Sequence, residues 1–294
     1  MIGYCCINTT LRKENIYTGR SVTRKKFNKD YVSELALKNS NDLLKILHWN
    51  VKNKIKSFRI SSDLFPRFTD KETPYKLEEL SDFQSICNSL SFAGKFAVDN
   101  DIDLSCHPNP FTVLASNSDK VVENTIREIE MHNIIGDLLG MGDKPFNINF
   151  HVGCNFSIDA ANRFCYNFSK LSESVKKRIV IENDDKPNGW SVSKLHKYIY
   201  SEIGVPITFD IHHSNFSRED NLSDQDEFLI AKSTWNRKME VHVSESPDPE
   251  IMQRKHSDFI TKKVPDYAFD ETYVLFEAKA KELAVLKYME ENAL

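Results

Sequence analysis

The order of residue types along this chain predicts a closed (β/α)8 TIM barrel with a metal cluster at the C-terminal mouth of its strands, and three observations carry that prediction. Short runs rich in β-branched and aromatic residues recur at fairly even spacing, at 2–6, 57–61, 103–107, 147–153, 178–183, 206–212, 239–244 and 273–279. The stretches between them have helical periodicity, and strand–helix alternation implies a parallel sheet that eight such units close. Metal-favouring residues sit at or next to the ends of the runs: His107, His151, Glu182, Asp210 with His213 three residues on, His242 and Glu277. In a parallel barrel the carboxyl ends of all strands converge on one face, so this pattern describes a mouth that holds metal.

Taken in order, the run 2–6 leads into an irregular stretch at 10–28, followed by a helix in which Leu43, Ile46, Leu47 and Asn50 share one face. A second irregular stretch, 64–75, follows the run 57–61. After 103–107, Val122, Ile126 and Ile129 mark a helix that starts past the cap-like Ser118 and ends near Gly140 and Gly142. Residues 190–203 read as a helix closed by Gly204, with Pro206 opening the sixth strand. A third irregular stretch, 214–226, is rich in Asp, Asn and Ser. All three irregular stretches follow strands, where loops of this architecture line the mouth, so they are candidate substrate-binding segments. No linker or low-complexity block divides the chain, which reads as one barrel domain over 1–294.

Hydrophobic residues are 40% and charged residues 28%, enough for a sizeable core. No run approaches the roughly 18 apolar residues that span a bilayer, and residues 1–8 lack the pattern of a secretion signal. The expectation is a soluble intracellular monomer, cytoplasmic or nuclear, with no membrane partner. The six cysteines form no C-x-x-C pair and read as packing residues, Cys106 and Cys154 facing away from the neighbouring histidines. Net charge is −4, but residues 1–60 hold 13 Lys/Arg against four Asp/Glu, about +9, beside a remainder of about −13. Such asymmetry fits a phosphate-tracking edge near a carboxylate-rich site.

The ligand set is too large for one ion, since a catalytic zinc takes about three protein ligands. Two or three divalent ions fit it, with Glu182 and Glu277 as bridging carboxylates. Mn²⁺, Zn²⁺ and Mg²⁺ all accept such ligands. Ions about 4 Å apart clamp the attacking and departing oxygens of phosphoryl transfer, which favours phosphodiester hydrolysis.

Several short segments, in order along nearly the whole chain, resemble the UV damage endonucleases. They are Gly3-Tyr4-Cys5-Cys6-Ile7-Asn8-Thr9-Thr10-Leu11, Arg59-Ile60-Ser61-Ser62-Asp63-Leu64-Phe65-Pro66, His107-Pro108, Glu182-Asn183-Asp184, His256-Ser257-Asp258 and Glu277-Ala278-Lys279. The resemblance implies a barrel nuclease related to endonuclease IV, with a manganese cluster, that cuts damaged double-stranded DNA on the 5′ side of ultraviolet photoproducts. Carried over position by position, it implies His107, His151, Glu182, Asp210, His213, His242, His256 and Glu277 as ligands; His256 enters through the resemblance.

Two departures stand out. Where the family commonly has a modified lysine two residues before the histidine matching His242, this chain has Glu240, which shares a strand face with His242 and is a candidate carboxylate ligand; a salt bridge to Lys238 or Lys279 is the alternative. In the loop after His107, Pro110 replaces a polar glutamine of some members and Phe111 replaces a tyrosine. The resemblance makes Tyr4, Asn8 and Phe111 candidate probes of the duplex, an aromatic ring being able to stack on an unpaired base. Arg20 and Arg59 are candidate phosphate contacts. Lys279, two residues from Glu277, is a candidate partner of the scissile phosphate or of the bridging glutamates. Rival readings are an abasic-site endonuclease, a metal-dependent sugar isomerase on the same scaffold, and a metal-stabilised damage binder without turnover.

Overall fold

Every one of the extended runs forms a strand: β1 Ile2–Cys5, β2 Ser57–Ile60, β3 Asp103–Cys106, β4 Asn147–His151, β5 Ile179–Glu182, β6 Ile207–Asp210, β7 Met239–Val243 and β8 Thr272–Phe276. In the computed structural model, which describes residues 1–141, 146–248 and 250–293, they pair in sequence order and all parallel. β8 closes on β1 through Ile2↔Val274, Gly3↔Leu275 and Tyr4↔Phe276. The fold is a (β/α)8 TIM barrel. Its outer layer includes the helices Lys29–Lys52, Phe83–Asp99, Asp119–Leu139, Ile158–Ser169, Asp224–Ser233 and Glu282–Glu291.

The helix boundaries follow local chemistry. Asn28 caps the first long helix by accepting from the amides of Asp30 and Tyr31, and Ser157 and Ser223 do the same for theirs. The helix Asp119–Leu139 ends on Gly140 at φ 59°, a left-handed conformation that suits glycine; Gly142 lies outside the described residues. The expected helix at 190–203 starts at Val192 beyond its cap Ser191, widens into a π turn over His196–Tyr200, and ends on Gly204 at φ 69°.

Alternation along each strand divides the barrel into two chemistries. Outward-facing Phe58, Ile60, Leu104, Cys106, Ile148, Phe150, Ile179, Ile181, Phe209, Val241 and Phe276 are buried against the helices. The inward positions are unusually polar: Ser57, Arg59, Asp103, Ser105, Asn147, Asn149, Thr208, Asp210, Glu240 and His242 are buried. Such barrels normally fill their interiors with branched apolar side chains. Here the helix interface holds the fold and the interior is given over to chemistry.

Three sequence expectations are corrected here. The sixth strand ends at Asp210, because that residue caps the helix Ile211–Ser217 by accepting from His213 N at 2.7 Å. His212 and His213 therefore ride on a first helical turn, and the stretch 214–226 opens in helix. The eighth strand ends at Phe276, so Lys279 shares no strand face with Glu277; it is exposed in a turn, its amide donating to Ser257 O at 3.0 Å.

Candidate metal centre

Glu182 is the hub of the barrel mouth. It ends β5, is 1% exposed, and four imidazoles approach its two oxygens. His213 Nδ1 lies 3.2 Å and His151 Nε2 3.9 Å from Oε1; His242 Nδ1 lies 3.0 Å and His107 Nε2 3.6 Å from Oε2. Asn149 Nδ2 also donates to Oε2. Two groups of potential ligand atoms share this carboxylate, His107–His151–Glu182 and Glu182–Asp210–His213, each within 4.8 Å.

The rings are held with one nitrogen committed. Backbone carbonyls accept from Nδ1 of His107 (Pro108 O, 2.9 Å), His213 (Asn183 O, 3.0 Å) and His256 (Glu277 O, 2.8 Å). That bond leaves the Nε2 lone pair of each ring available, which is how metal-binding histidines are oriented. Asp210 offers the complementary sign of a ligand: Oδ1 caps the helix, while Oδ2 is buried without a hydrogen-bond partner. A buried carboxylate oxygen left unpaired is costly, and a divalent cation beside it would remove that cost. The donor set of imidazole nitrogens and carboxylate oxygens fits Mn²⁺, Zn²⁺ or Mg²⁺.

Electrostatics keep the carboxylates in the ligating form. Burial by itself would raise Glu182, but His242 and His151 with the other imidazoles hold it well below the usual carboxylate range. Burial opposed by Arg59 and His242 leaves Glu277 low as well. His242 is raised to about 10: burial lowers it, Glu182 raises it more.

Arg59 is brought into this cluster rather than onto an outer DNA-facing edge. Its Nη1 lies 2.5 Å from Glu277 Oε1 and its Nη2 2.9 Å from His242 Nε2, with the side chain 8% exposed. Glu240 does meet His242, its Oε1 2.8 Å from Nε2, held by Ser105 Oγ at 3.2 Å. It faces the ring nitrogen opposite the one aimed at Glu182. The alternative salt bridge is not formed with Lys238, which approaches Asp101 at 3.7 Å.

The proposed duplex probes divide. Phe111, on the β3 loop, is 82% exposed and free to stack. Tyr4 and Asn8 are corrected: both are 0% exposed. Tyr4 is on the outward face of β1, packed edge-on against Phe58 at 5.1 Å and donating to Asn50 Oδ1 at 2.8 Å. Asn8 donates to Tyr4 Oη at 2.9 Å and caps the turn at Leu11 N. Arg20 is corrected likewise, since its guanidinium is spent on Asp42 at 2.7 Å, on the carbonyls of Asn15 and Tyr17, and over the Tyr17 ring.

A cavity of about 520 Å³ at the mouth is lined by Arg59, His107, His151, Glu182, His213 and Glu277, and also by Cys6, Asp184, Asp185 and Arg254. Cys6 is therefore not simply packing, although all six cysteines are free thiols. Asn149, Asn183, Asp184 and Arg254 are site residues that pattern reading left without a role. Asn149 alone carried a signal, because it lies two residues before His151 and so shares its face.

The whole chain, residues 1–294, matches the family model described as UV-endonuclease UvdE. A UV-damage endonuclease of Schizosaccharomyces pombe is 33% identical over 308 residues, covering 97% of this chain and 49% of the relative. A UV DNA damage endonuclease of Clostridium perfringens is 30% identical over 302 residues, covering 97% of this chain and 69% of the relative. The chain thus spans about half the length of the fission-yeast relative. The crystal structure of SacUVDE superposes with a TM-score of 0.85 at 27% identity, over 99% of this chain and 98% of that one. A D-psicose 3-epimerase of Clostridium cellulolyticum H10 shares the fold alone, with a TM-score of 0.52 at 12% identity over 80% of this chain and 78% of that one. With its full length matched, the chain belongs to the UV-endonuclease UvdE family.

Proposed function

We propose that this protein is a DNA-repair endonuclease that hydrolyses the phosphodiester bond on the 5′ side of ultraviolet photoproducts and other helix-distorting lesions, with two or three divalent ions, Mn²⁺ foremost. The observation that carries the reading is the convergence of His107, His151, His213 and His242 on the buried Glu182, beside Asp210 Oδ2, which no hydrogen bond satisfies. His107 and His151 with Glu182 would hold one ion, and Glu182, Asp210 and His213 another; His242, His256 and Glu277 complete the ring of donors. Bound ions supply Lewis-acid stabilisation of the phosphate oxygens and activation of water at neutral pH.

The chain's own residues do the remainder. Arg59 presents a fixed positive charge at the cavity wall and would pair with a phosphate oxygen when DNA displaces it from Glu277. Phe111 would stack in the gap left by a displaced nucleotide, worth about 1–3 kcal/mol. A second cavity of about 590 Å³ adjoins that ring, lined by Phe111, by Arg24, Arg67, Lys71 and Lys120, and by Asp63, Asp70, Glu72 and Glu128; Arg24 and Arg67 are paired with Asp70 there. Lesions weaken stacking and pairing, so a damaged nucleotide is extruded at lower cost than an intact one, and selectivity comes from deformability.

Incubation with irradiated, abasic and intact plasmid in Mn²⁺ tests the reading. Nicking of irradiated plasmid is the expected outcome, and nicking of the abasic plasmid alone would replace it with an abasic-site endonuclease. Glu182→Gln should abolish nicking while leaving lesion binding detectable by gel shift. Parent protein that binds lesions but nicks with no divalent ion would be a damage binder.

A further inference from the structure

We propose that Asp184 is a positioning residue for His151: its carboxylate fixes that ring so that Nε2, not Nδ1, is offered to the metal; the inference rests on the metal-centre reading above. His107, His213 and His256 each commit Nδ1 to a backbone carbonyl. His151 has no such carbonyl. Its Nδ1 is buried without a hydrogen-bond partner, and the facing group is Asp184 Oδ1 at 3.3 Å, at ion-pair range. A small turn of the ring closes that gap, and Nε2 then points towards Glu182 Oε1, 3.9 Å away.

Asp184 is built to stay where it is. Its amide donates to Trp190 O at 2.9 Å, and its Oδ2 accepts from Trp190 N at 3.1 Å. Trp190 is itself pinned, since its Nε1 donates to Cys154 O at 2.8 Å on the loop that follows His151. Gly189 is required beneath: a Cβ there would stand 2.5 Å from Asp184 Cβ and 2.7 Å from Oδ2. With Oδ2 held by Trp190 N and Oδ1 facing His151 Nδ1, the carboxylate is aimed at that ring. The preceding residue, Asn183, does parallel work, donating to Asp210 O at 3.0 Å, accepting from Asp210 N at 2.8 Å and lending its carbonyl to His213. Three consecutive residues thus serve four candidate ligands: Glu182 is itself one, Asn183 holds Asp210 and His213, and Asp184 faces His151. Carboxylate–histidine–metal arrangements of this kind change metal affinity 10–100-fold when the outer partner is lost.

The test is Mn²⁺ titration of the full chain, followed by the electron paramagnetic resonance of free Mn²⁺, with nicking and melting temperature measured alongside. Asp184→Ala should weaken one Mn²⁺ site about 10–100-fold, with nicking recovered in excess Mn²⁺. Asp184→Asn keeps the volume but can accept only one of the two donors, so it should weaken the same site with little change in melting temperature. Gly189→Ala, which touches no ligand, should reproduce the alanine effect by displacing Asp184. Asp184 variants with the parent's Mn²⁺ affinity overturn the inference, and so does parent protein that binds no divalent ion. Parent protein that binds Mn²⁺ without nicking, paired with Asp184 variants that bind it weakly, sustains the inference and removes the endonuclease reading.

Discussion

Phe111 is the clearest case of a residue whose exposure makes sense only with a partner. A phenylalanine with 82% of its surface open to solvent, on a loop next to a charged cavity, contributes nothing to the core. Phe111→Ala should therefore leave melting temperature and metal content unchanged while weakening binding to lesion-bearing duplex by about 5- to 150-fold; unchanged lesion affinity would make it an ordinary surface residue. Glu227 shows the opposite situation. It is 0% exposed, and Ser214 Oγ lies 3.0 Å from its Oε2 and 2.8 Å from Asp224 Oδ1. Ser214 has one hydroxyl proton to share between two carboxylates, so its donation to Glu227 compensates the burial of that carboxyl only in part. Burial, opposed by Ser214, pushes its pKa up to about 7. Between the usual carboxylate range and about pH 7 the folded state then binds more protons than the unfolded one. Its stability falls as pH rises through that window, by about 3 kcal/mol in total. Glu227→Gln should flatten the change in melting temperature between pH 5 and pH 8; an identical slope in the variant would sink the assignment. Most of the candidate ligands were readable from sequence because they end short apolar runs; His256, which no strand immediately precedes, was not. Asp184 was not, because its meaning depends on Trp190 and Gly189 folding back over it.

At the scale of elements, strand phase decides which residues can act. Gly3 and Cys5 share one face of β1 and Tyr4 the other, so a conspicuous tyrosine went to the helix interface. Side chains two residues apart along a strand share a fate, as Asn149 and His151 or Glu240 and His242 do. The sixth strand was expected to run two residues too far, since nothing local in Asp210-Ile211-His212-His213 distinguishes a strand end from a helix cap. Helix packing is equally specific. A Cβ at Gly94 would lie 1.8 Å from Leu139 O, so the helix Phe83–Asp99 can approach the end of Asp119–Leu139 only over a glycine. Gly94→Ala should cost about 1–3 kcal/mol or more and lower the melting temperature by several degrees without altering Mn²⁺ affinity. A variant as stable as the parent would show that the two helices are free to separate.

For the whole molecule, the consequence is that stability and cation content are linked. Glu182, Asp210, Glu240 and Glu277 are gathered at or beneath one mouth with Arg59 as a countercharge. A barrel with this interior should be stabilised by any ion that binds the folded state alone, by about 2.7 kcal/mol at a concentration 100 times Kd. Chelation should lower the melting temperature and Mn²⁺ should restore it; a melting temperature indifferent to both would separate the cluster from metal binding. The charge asymmetry along the chain is resolved more modestly than the count suggested. Arg20, Arg24, Lys29, Lys38, Lys45 and Arg59 are engaged in ion pairs, with Asp42, Asp70, Glu79, Glu34, Asp42 and Glu277 respectively. Of these, Arg24, Lys29 and Arg59 pair with acids beyond residue 60, so part of the basic excess of residues 1–60 neutralises the acidic remainder.

Sequence alone determined the barrel and the ring of histidines and carboxylates, because both are written in short-range periodicity: apolar alternation makes a strand, and a polar residue closing it must emerge at the mouth. Tertiary structure alone decided that Arg59 turns inward while Arg20 is consumed by Asp42, that Tyr4 and Asn8 are interior, and that Lys279 lies off the strand. Those outcomes depend on which distant segment arrives within hydrogen-bonding reach, and contacts of that kind leave no mark in the spacing of residues along the chain.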